Sequence, residues 1–200
     1  AHYGAVYDCP NSPASADLLD LQSASHPLAP VTPGDLASRP MPVLTDYQVA
    51  HYQDHGWVAP VDVLTADEAT ALHRALVDAE HAFPDDLHAA SRNNTHLVLP
   101  FLADLALHQV ILDCVGSLVD DPRSLLNSVL FIKEPGSNAY VSWHQDSTYM
   151  GLDSSDMVTA WVALTPSTSA SGCVAMVSDS HRDGIRPHVD RYGTENILTR

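Results

Sequence analysis

The sequence predicts an α+β fold in which helices come first and a sheet follows. Two patterns typical of capped helices and a third helical stripe of apolar residues lie before residue 120. From residue 126 onward, short apolar runs rich in β-branched and aromatic residues alternate with turn-forming segments. Helices followed by consecutive strands are typical of α+β domains, and a jelly-roll-like sheet is the candidate architecture.

Three helices are expected in the first part of this layout. Thr45 is placed to cap the N-terminus of the first helix, and Gly56 is placed to end it in a left-handed conformation. Thr65 and Glu68 form a capping-box pattern that predicts the start of the second helix. The third is predicted as one helix over residues 101–119, with an apolar stripe that consists of Leu105, Leu112, Val115 and Leu118.

The second part of the layout contains four runs with the composition of strands. Each is bounded by segments rich in Gly, Pro, Ser, Asn or Asp, which favour turns. The runs are residues 129–132, 139–143, 157–164 and 173–177.

Residues 1–43 differ from the rest of the chain. They hold seven of the fourteen prolines and show no sustained helical or strand periodicity. We therefore expect a flexible leader over residues 1–43 and a folded domain over residues 44–200.

Charge and cysteine content exclude several classes of function. The formal net charge of −16, from 25 acidic and 9 basic residues, would be repelled by nucleic acids and by acidic membranes, so neither is expected as a partner. The three cysteines are far apart and suggest neither a disulfide framework nor a CxxC metal site, which favours a cytoplasmic location. No apolar run approaches the length of a membrane span, and a signal-peptide pattern is not seen.

One short segment contains two residues that could bind a metal ion. His144 and Asp146 are two residues apart at the end of a predicted strand, where side chains at that spacing project from the same face. An imidazole and a carboxylate side by side supply two corners of the two-His-one-carboxylate iron site. The His-x-Asp pattern alone is weak evidence for a metal site, since a histidine near an aspartate is usually just solvated. The prediction therefore depends on the neighbouring sequence.

Those neighbours form a series of motifs: a helical segment over residues 44–80, a strand and turn over 131–137, the segment 141–152 that contains His144 and Asp146, a further strand over 157–164, and a turn with Ser-His-Arg over 172–184. In order and spacing these motifs resemble the phytanoyl-CoA dioxygenase family, a group of Fe(II)/2-oxoglutarate-dependent oxygenases, over roughly residues 44–200. In that family they correspond to the helical lead-in, the strand and turn before the metal site, the iron-binding segment, the next strand and the turn after it.

The resemblance implies a double-stranded β-helix that binds Fe(II) and 2-oxoglutarate and uses O₂ to hydroxylate a small organic substrate, with release of succinate and CO₂. It implies that His144 and Asp146 are the metal ligands, and the carboxylate of Asp146 favours hydroxylation over halogenation. Gln145 and Trp161, with Lys133 as a weaker candidate, are implied for cosubstrate binding. Core packing of Trp161 and a solvated role for Lys133 are the alternatives.

The resemblance also predicts what is missing. The second metal histidine and the 2-oxoglutarate-binding arginine of the family belong to a later segment, so we expect a C-terminally truncated chain that binds Fe(II) weakly on its own. His181 and His188 are expected to be structural, and Asp179 to be left-handed. Exposed side chains are expected in the run 157–164, at Val158, Trp161 or Ala163.

Two other hypotheses stay open: a non-catalytic binding module that keeps the fold, and an inactive fragment that lacks the third metal ligand. Neither substrate identity nor oligomeric state is specified by the sequence, because loops and side-chain directions determine both.

Overall fold

The computed structural model describes residues 44–85, 87, 92–119, 124–152, 157–189, 193 and 195–198; the predicted leader lies outside them. This part of the chain contains four α-helices, which are α1 (Asp46–His55), α2 (Ala66–Ala82), α3 (Pro100–Ala106) and α4 (Gln109–Gly116). Its short 3₁₀ turns are Thr95–Leu97, Asp146–Tyr149, Ser169–Ser171 and Ser180–Asp183. Among these elements, no helix combines the length and the apolar character needed to cross a membrane.

The first helix begins and ends as predicted. The Thr45 hydroxyl accepts the Gln48 N–H at 3.3 Å, and the Gln48 side chain accepts the Thr45 N–H at 3.0 Å, which completes a capping box. Gly56 ends the helix with φ 81°, and its N–H donates to the Tyr52 carbonyl at 2.7 Å. Tyr52 is buried, and burial raises the pKa of its hydroxyl.

The second helix is confirmed by the same kind of cap. The Thr65 hydroxyl accepts the Glu68 N–H at 3.2 Å, and the Glu68 carboxylate accepts the Thr65 N–H at 2.6 Å. The helix contributes Leu76 to a buried cluster with Leu87, Leu99 and Leu102. Each such leucine stabilises the fold by about 1.5–3 kcal/mol relative to an exposed one.

The prediction of one helix over residues 101–119 is wrong, because the chain breaks between α3 and α4. His108 adopts φ −59° and ψ 128°, an extended conformation that ends the helical backbone between α3 and α4. As a result Val110 and Ile111 are buried, whereas Leu112, which the predicted stripe placed inward, is 38% exposed. The apolar periodicity of residues 101–119 suggested one helix, but the chain packs this region as two separate helices, α3 and α4.

The leucine cluster connects the helices to the strand-like part of the chain. Leu130 and Ile132 pack against it, and the Leu130 N–H donates to the Arg92 carbonyl at 3.1 Å. An antiparallel bridge pairs Asn93 with Val129 beside this contact. The run 129–132 therefore covers the helical core.

The predicted jelly-roll sheet is not confirmed. In the described ranges, pairing outside helices consists of two isolated bridges, Asn93 with Val129 and Tyr140 with Asn196, and the four predicted runs form no ladder. A strand requires successive backbone pairs with a neighbour, and an apolar run does not specify which neighbour that is. Within the run 157–164, Trp161 is 43% exposed and Ala163 is exposed as expected, whereas Val158 is half-buried.

A turn far along the sequence covers the C-terminal end of α1. The Asp179 N–H donates to the His55 carbonyl at 3.1 Å, and Nε2 of His181 lies 3.0 Å from the Gln53 carbonyl. The last carbonyls of a helix lack partners within the helix, and these two bonds supply them. His181 is buried, in agreement with the expected structural role, and Asp179 is left-handed with φ 68°, as predicted.

Side chains add further contacts at the same junction. The Trp57 Nε1–H donates to the Ser178 hydroxyl at 3.1 Å, and Arg182 pairs with Asp54 at 2.9 Å. The ion pair is largely exposed, so it contributes little. A Cβ added to Gly56 would lie 2.6 Å from the ring nitrogen Nδ1 of His181. The close packing of the turn on α1 therefore requires glycine at this position.

We predict that Gly56→Ala destabilises the protein more than the matched variant Gly136→Ala. Both glycines have positive φ, 81° and 72°, but a Cβ at Gly136 would meet nothing within 4 Å. Gly136→Ala should lose about 1–2 kcal/mol of unfolding free energy through backbone strain alone. Gly56→Ala should lose at least about 1 kcal/mol more, because His181 must move. Urea unfolding measures both, and equal losses would contradict the packing.

Candidate metal site

The two candidate ligands lie next to each other where an extended segment enters a 3₁₀ turn. Gln145, between them, has φ −118° and ψ 122°, an extended conformation that directs its two neighbours to the same side. Nε2 of His144 lies 3.0 Å from Oδ1 of Asp146, and the two side chains are 4% and 13% exposed. The structure thus brings together the residues that the sequence paired, within the 4 Å or so that two ligands of one ion require.

The His144 ring is oriented by the backbone. Its Nδ1 lies 2.8 Å from the Ser142 carbonyl oxygen. A carbonyl only accepts hydrogen bonds, so Nδ1 carries the proton and donates it. With its proton on Nδ1, the ring presents Nε2 to Asp146. Metal-binding histidines are usually held in this way, with one nitrogen donating to a carbonyl or carboxylate and the other facing the metal.

The Asp146 carboxylate is oriented by a residue that the sequence did not indicate. The Thr159 hydroxyl donates to Oδ2 at 2.5 Å, which leaves Oδ1 facing His144. Thr159 lies in the otherwise apolar run 157–164, and its polar hydroxyl was the single available signal. Nothing in its spacing from Asp146 predicted the contact.

The chemistry of these two groups suits a divalent metal. A neutral imidazole nitrogen and a carboxylate oxygen both present electron pairs, so at 3.0 Å they need a proton or a cation between them. With metal–ligand bonds of about 2.1 Å, adjacent corners of an octahedron are about 3.0 Å apart. The two atoms are therefore already at the spacing that one octahedral ion would impose.

A third ligand does not join them within the described residues, where no group of three or more His, Cys, Asp or Glu side chains has metal-binding geometry. His188 lies close by, but its Nε2 accepts the Gln145 N–H at 2.9 Å and its Nδ1 lies 2.7 Å from the Arg186 carbonyl. Both nitrogens are thus engaged. This arrangement agrees with the expected structural role of His188.

Gln145, a predicted cosubstrate residue, holds a loop in this structure. It is 2% exposed; its Nε2 donates to the Gly184 carbonyl at 3.1 Å, and its Oε1 accepts the Arg186 N–H at 2.8 Å. Together with the His188 contact, these bonds tie residues 184–188 to the segment that carries the ligands. Contact with a cosubstrate would have to use the second N–H of Nε2 or the second lone pair of Oε1.

The other two predicted cosubstrate residues are more accessible. The Lys133 ammonium donates to the Gly172 carbonyl at 3.0 Å and is half-buried. Trp161, two residues beyond Thr159, is 43% exposed rather than part of the core.

An aromatic ring lies beside the candidate ligands. The centroid of Tyr149 is 5.9 Å from that of His144, with 72° between the ring planes, and 6.0 Å from that of His188, with 90° between the planes. Both contacts have the edge-to-face geometry that aromatic rings favour. Tyr149 is also 42% exposed, so it borders the side of the site that faces solvent.

Comparison with known proteins supports an oxygenase. The sequence model of the phytanoyl-CoA dioxygenase (PhyH) family matches residues 52–199. A methylphosphonate hydroxylase from Gimesia maris is 26% identical over 164 residues, which are 75% of this chain and 62% of that protein. A probable phytanoyl-CoA dioxygenase from Caenorhabditis elegans is 25% identical over 130 residues, 62% of this chain and 42% of that protein.

A shorter but closer match is to a 1-deoxypentalenic acid 11-beta-hydroxylase from Streptomyces arenae, 46% identical over 46 residues, 23% of this chain and 16% of that protein. The matches to these three relatives thus span between 16% and 62% of their lengths. No solved structure matches the chain significantly.

The Gln145 bonds predict a loss of stability that is independent of any ligand. Gln145→Met keeps the length of the side chain but removes its bonds to Gly184 and Arg186, and should lower the unfolding free energy by about 1–3 kcal/mol. The matched control is Gln109→Met on α4, where the exposed amide bonds Asp113 at 2.8 Å; this variant should change stability by less than about 0.5 kcal/mol. Thermal or urea unfolding without metal measures both, and equal stabilities would refute the loop-holding role.

Proposed function

Because this chain belongs to the phytanoyl-CoA dioxygenase (PhyH) family, we propose that it is part of an Fe(II)- and 2-oxoglutarate-dependent enzyme that hydroxylates a small organic molecule. In this reaction O₂ supplies the hydroxyl oxygen and 2-oxoglutarate becomes succinate and CO₂. The similarity to a dioxygenase and to two hydroxylases supports the oxygenase class.

The observation that carries the proposal is the 3.0 Å approach of His144 Nε2 to Asp146 Oδ1, with each group fixed from behind. Ser142 fixes the imidazole and Thr159 fixes the carboxylate. When bound here, iron would supply open coordination positions for 2-oxoglutarate and O₂ and the redox chemistry that activates O₂.

The remaining side chains have positioning tasks in this proposal. Tyr149, beside both imidazoles, would border the substrate entrance and limit access of water. Lys133 would pair its ammonium with a carboxylate of 2-oxoglutarate, which is the chemical match for a cation. Trp161, exposed near Thr159 in sequence, and Gln145, between the ligands, complete the proposed cosubstrate contacts.

The alternative is a non-catalytic relative in which His144 and Asp146 form a simple hydrogen-bonded pair. The absence of a third ligand among the described residues favours it. In that protein the proton on His144 Nε2 would take the place of the metal. Metal binding distinguishes the two hypotheses directly.

We expect the wild-type chain to bind one equivalent of Fe(II), or of Mn(II) as a stable substitute, weakly through its two ligands, and His144→Ala to bind it at least about 10-fold more weakly still. Anaerobic titration with Mn(II), followed by electron paramagnetic resonance of the free ion, measures the dissociation constant. His73→Ala is the matched control, because His73 is exposed on α2. Adding 2-oxoglutarate to the Fe(II) form and assaying succinate under air then tests the reaction.

Equal Mn(II) affinity of wild type and His144→Ala, with His73→Ala also unchanged, would refute the metal site and favour the non-catalytic alternative. Affinity that depends on His144 without succinate formation would confirm the metal site but not the turnover of this chain.

The Thr159 hydroxyl gives a second prediction. Thr159→Val preserves the shape of the side chain and removes the bond to Asp146 Oδ2, so the carboxylate loses its fixed direction. Mn(II) affinity should fall by about 10-fold, the lower end of the effect of such partners. Thr148→Val, which loses a longer contact of 3.3 Å to His188, is the matched control. An unchanged affinity in Thr159→Val would mean that Asp146 needs no such support.

A further inference from the structure

Asn196 is nearly completely buried, at 1% exposure, and lies against the segment that leads to the candidate ligands. Its backbone neighbours pair with Tyr140: the Tyr140 N–H donates to the Glu195 carbonyl at 2.9 Å, and the Ile197 N–H donates to the Tyr140 carbonyl at 2.9 Å. These two bonds form the parallel bridge between Tyr140 and Asn196. Residues 195–197 thus run beside residues 140–142.

The Asn196 side chain extends this pairing by two residues. Its Oδ1 accepts the Ser142 N–H at 3.3 Å, and its Nδ2 donates to the Ser142 hydroxyl at 3.2 Å. The same Oδ1 also accepts the Leu198 N–H at 3.3 Å. A carboxamide is suited to this task because it carries an acceptor and a donor side by side.

Ser142 is the residue whose carbonyl accepts the Nδ1–H of His144 at 2.8 Å. Asn196 holds two other groups of the same residue, its N–H and its hydroxyl. Holding both restricts the φ and χ1 angles of Ser142 and so fixes the frame from which its carbonyl is directed at the imidazole. The direction of the His144 ring therefore depends on Asn196 through one intermediate residue.

We propose that Asn196 is a positioning residue for the metal centre, which it stabilises by holding Ser142 so that His144 keeps its proton on Nδ1 and offers Nε2 to the ion. The inference rests on the proposed metal role of His144, but its first consequence, the tautomer of that ring, exists without metal. No sequence motif and no spacing from His144 indicates a positioning role for Asn196. The role is inferred from the burial of its side chain and from its two hydrogen bonds to Ser142.

Two measurements test this role on the 200-residue chain. Long-range ¹H–¹⁵N spectra of the metal-free protein report whether Nδ1 of His144 carries the proton that is bonded to the Ser142 carbonyl. Mn(II) titration reports the dissociation constant. In Asn196→Leu, of similar volume, we expect Nδ1 to lose part of this proton signal, so that the ring becomes a mixture of tautomers, and Mn(II) affinity to fall by about 10-fold or more.

Two variants separate positioning from general loss of stability. Asn196→Asp keeps an acceptor for the Ser142 N–H, and the Ser142 hydroxyl can turn to donate to the new carboxylate; it should restore the Nδ1–H tautomer. Thr65→Ala removes the distant cap of α2 and about 1 kcal/mol of stability, and should change neither tautomer nor affinity. If Asn196→Leu does not fold, Asn196→Ser, too short to hold both groups of Ser142, replaces it with the same expectations.

An unchanged His144 tautomer and an unchanged Mn(II) affinity in the folded Asn196 variant would overturn the inference. So would an equal loss of affinity in Thr65→Ala. A changed tautomer in a chain whose wild type binds no Mn(II) would support the link from Asn196 to His144 and refute the proposed function, so the two failures are distinguishable.

Discussion

The need to satisfy the last carbonyl groups of α1 constrains how the C-terminal part of the described chain packs on the helices. A helix that stops leaves carbonyl groups without partners, and here the Gln53 and His55 carbonyls are satisfied by residues of one distant turn, His181 and Asp179. The turn can approach because Gly56 has no side chain. In a chain whose described residues form no strand ladder, this junction is a principal link between the helical part and the part that carries the site.

From that junction the chain continues into a segment that is hydrogen-bonded to Gln145, the residue between the candidate ligands. The chain leaves the turn at Gly184, whose carbonyl accepts from Gln145, and continues to Arg186 and His188, which bond the side chain and the backbone of the same glutamine. Gln145 stands between His144 and Asp146. One buried residue, Gln145, thus lies between the two candidate ligands and bonds the segment that follows the turn packed on α1.

The features that the sequence predicted are local ones. The capping boxes at Thr45 and Thr65 and the approach of His144 to Asp146 each involve residues two or three positions apart, where backbone geometry alone determines proximity. The break at His108 was missed because helical periodicity does not show where packing divides a helix in two. Thr159 and Asn196 were missed because the contacts of each span more than ten positions, and no single sequence contains the information that pairs them. The predicted sheet stays unconfirmed, because the described residues pair outside the helices through two isolated bridges.

The two groups that orient the candidate ligands, the Ser142 carbonyl and the Thr159 hydroxyl, differ in what they would do under the proposed function. The Nδ1 side of His144 is held by a neutral carbonyl rather than by a carboxylate, so this bond orients the ring without placing a charged group behind it. Asp146 has one oxygen occupied by Thr159 and can offer an ion the other, which favours monodentate coordination. A carboxylate that takes one coordination position instead of two leaves an additional position open. Under the proposed function, Thr159 would therefore set the direction of Asp146 and also help to leave a coordination position free for 2-oxoglutarate or O₂.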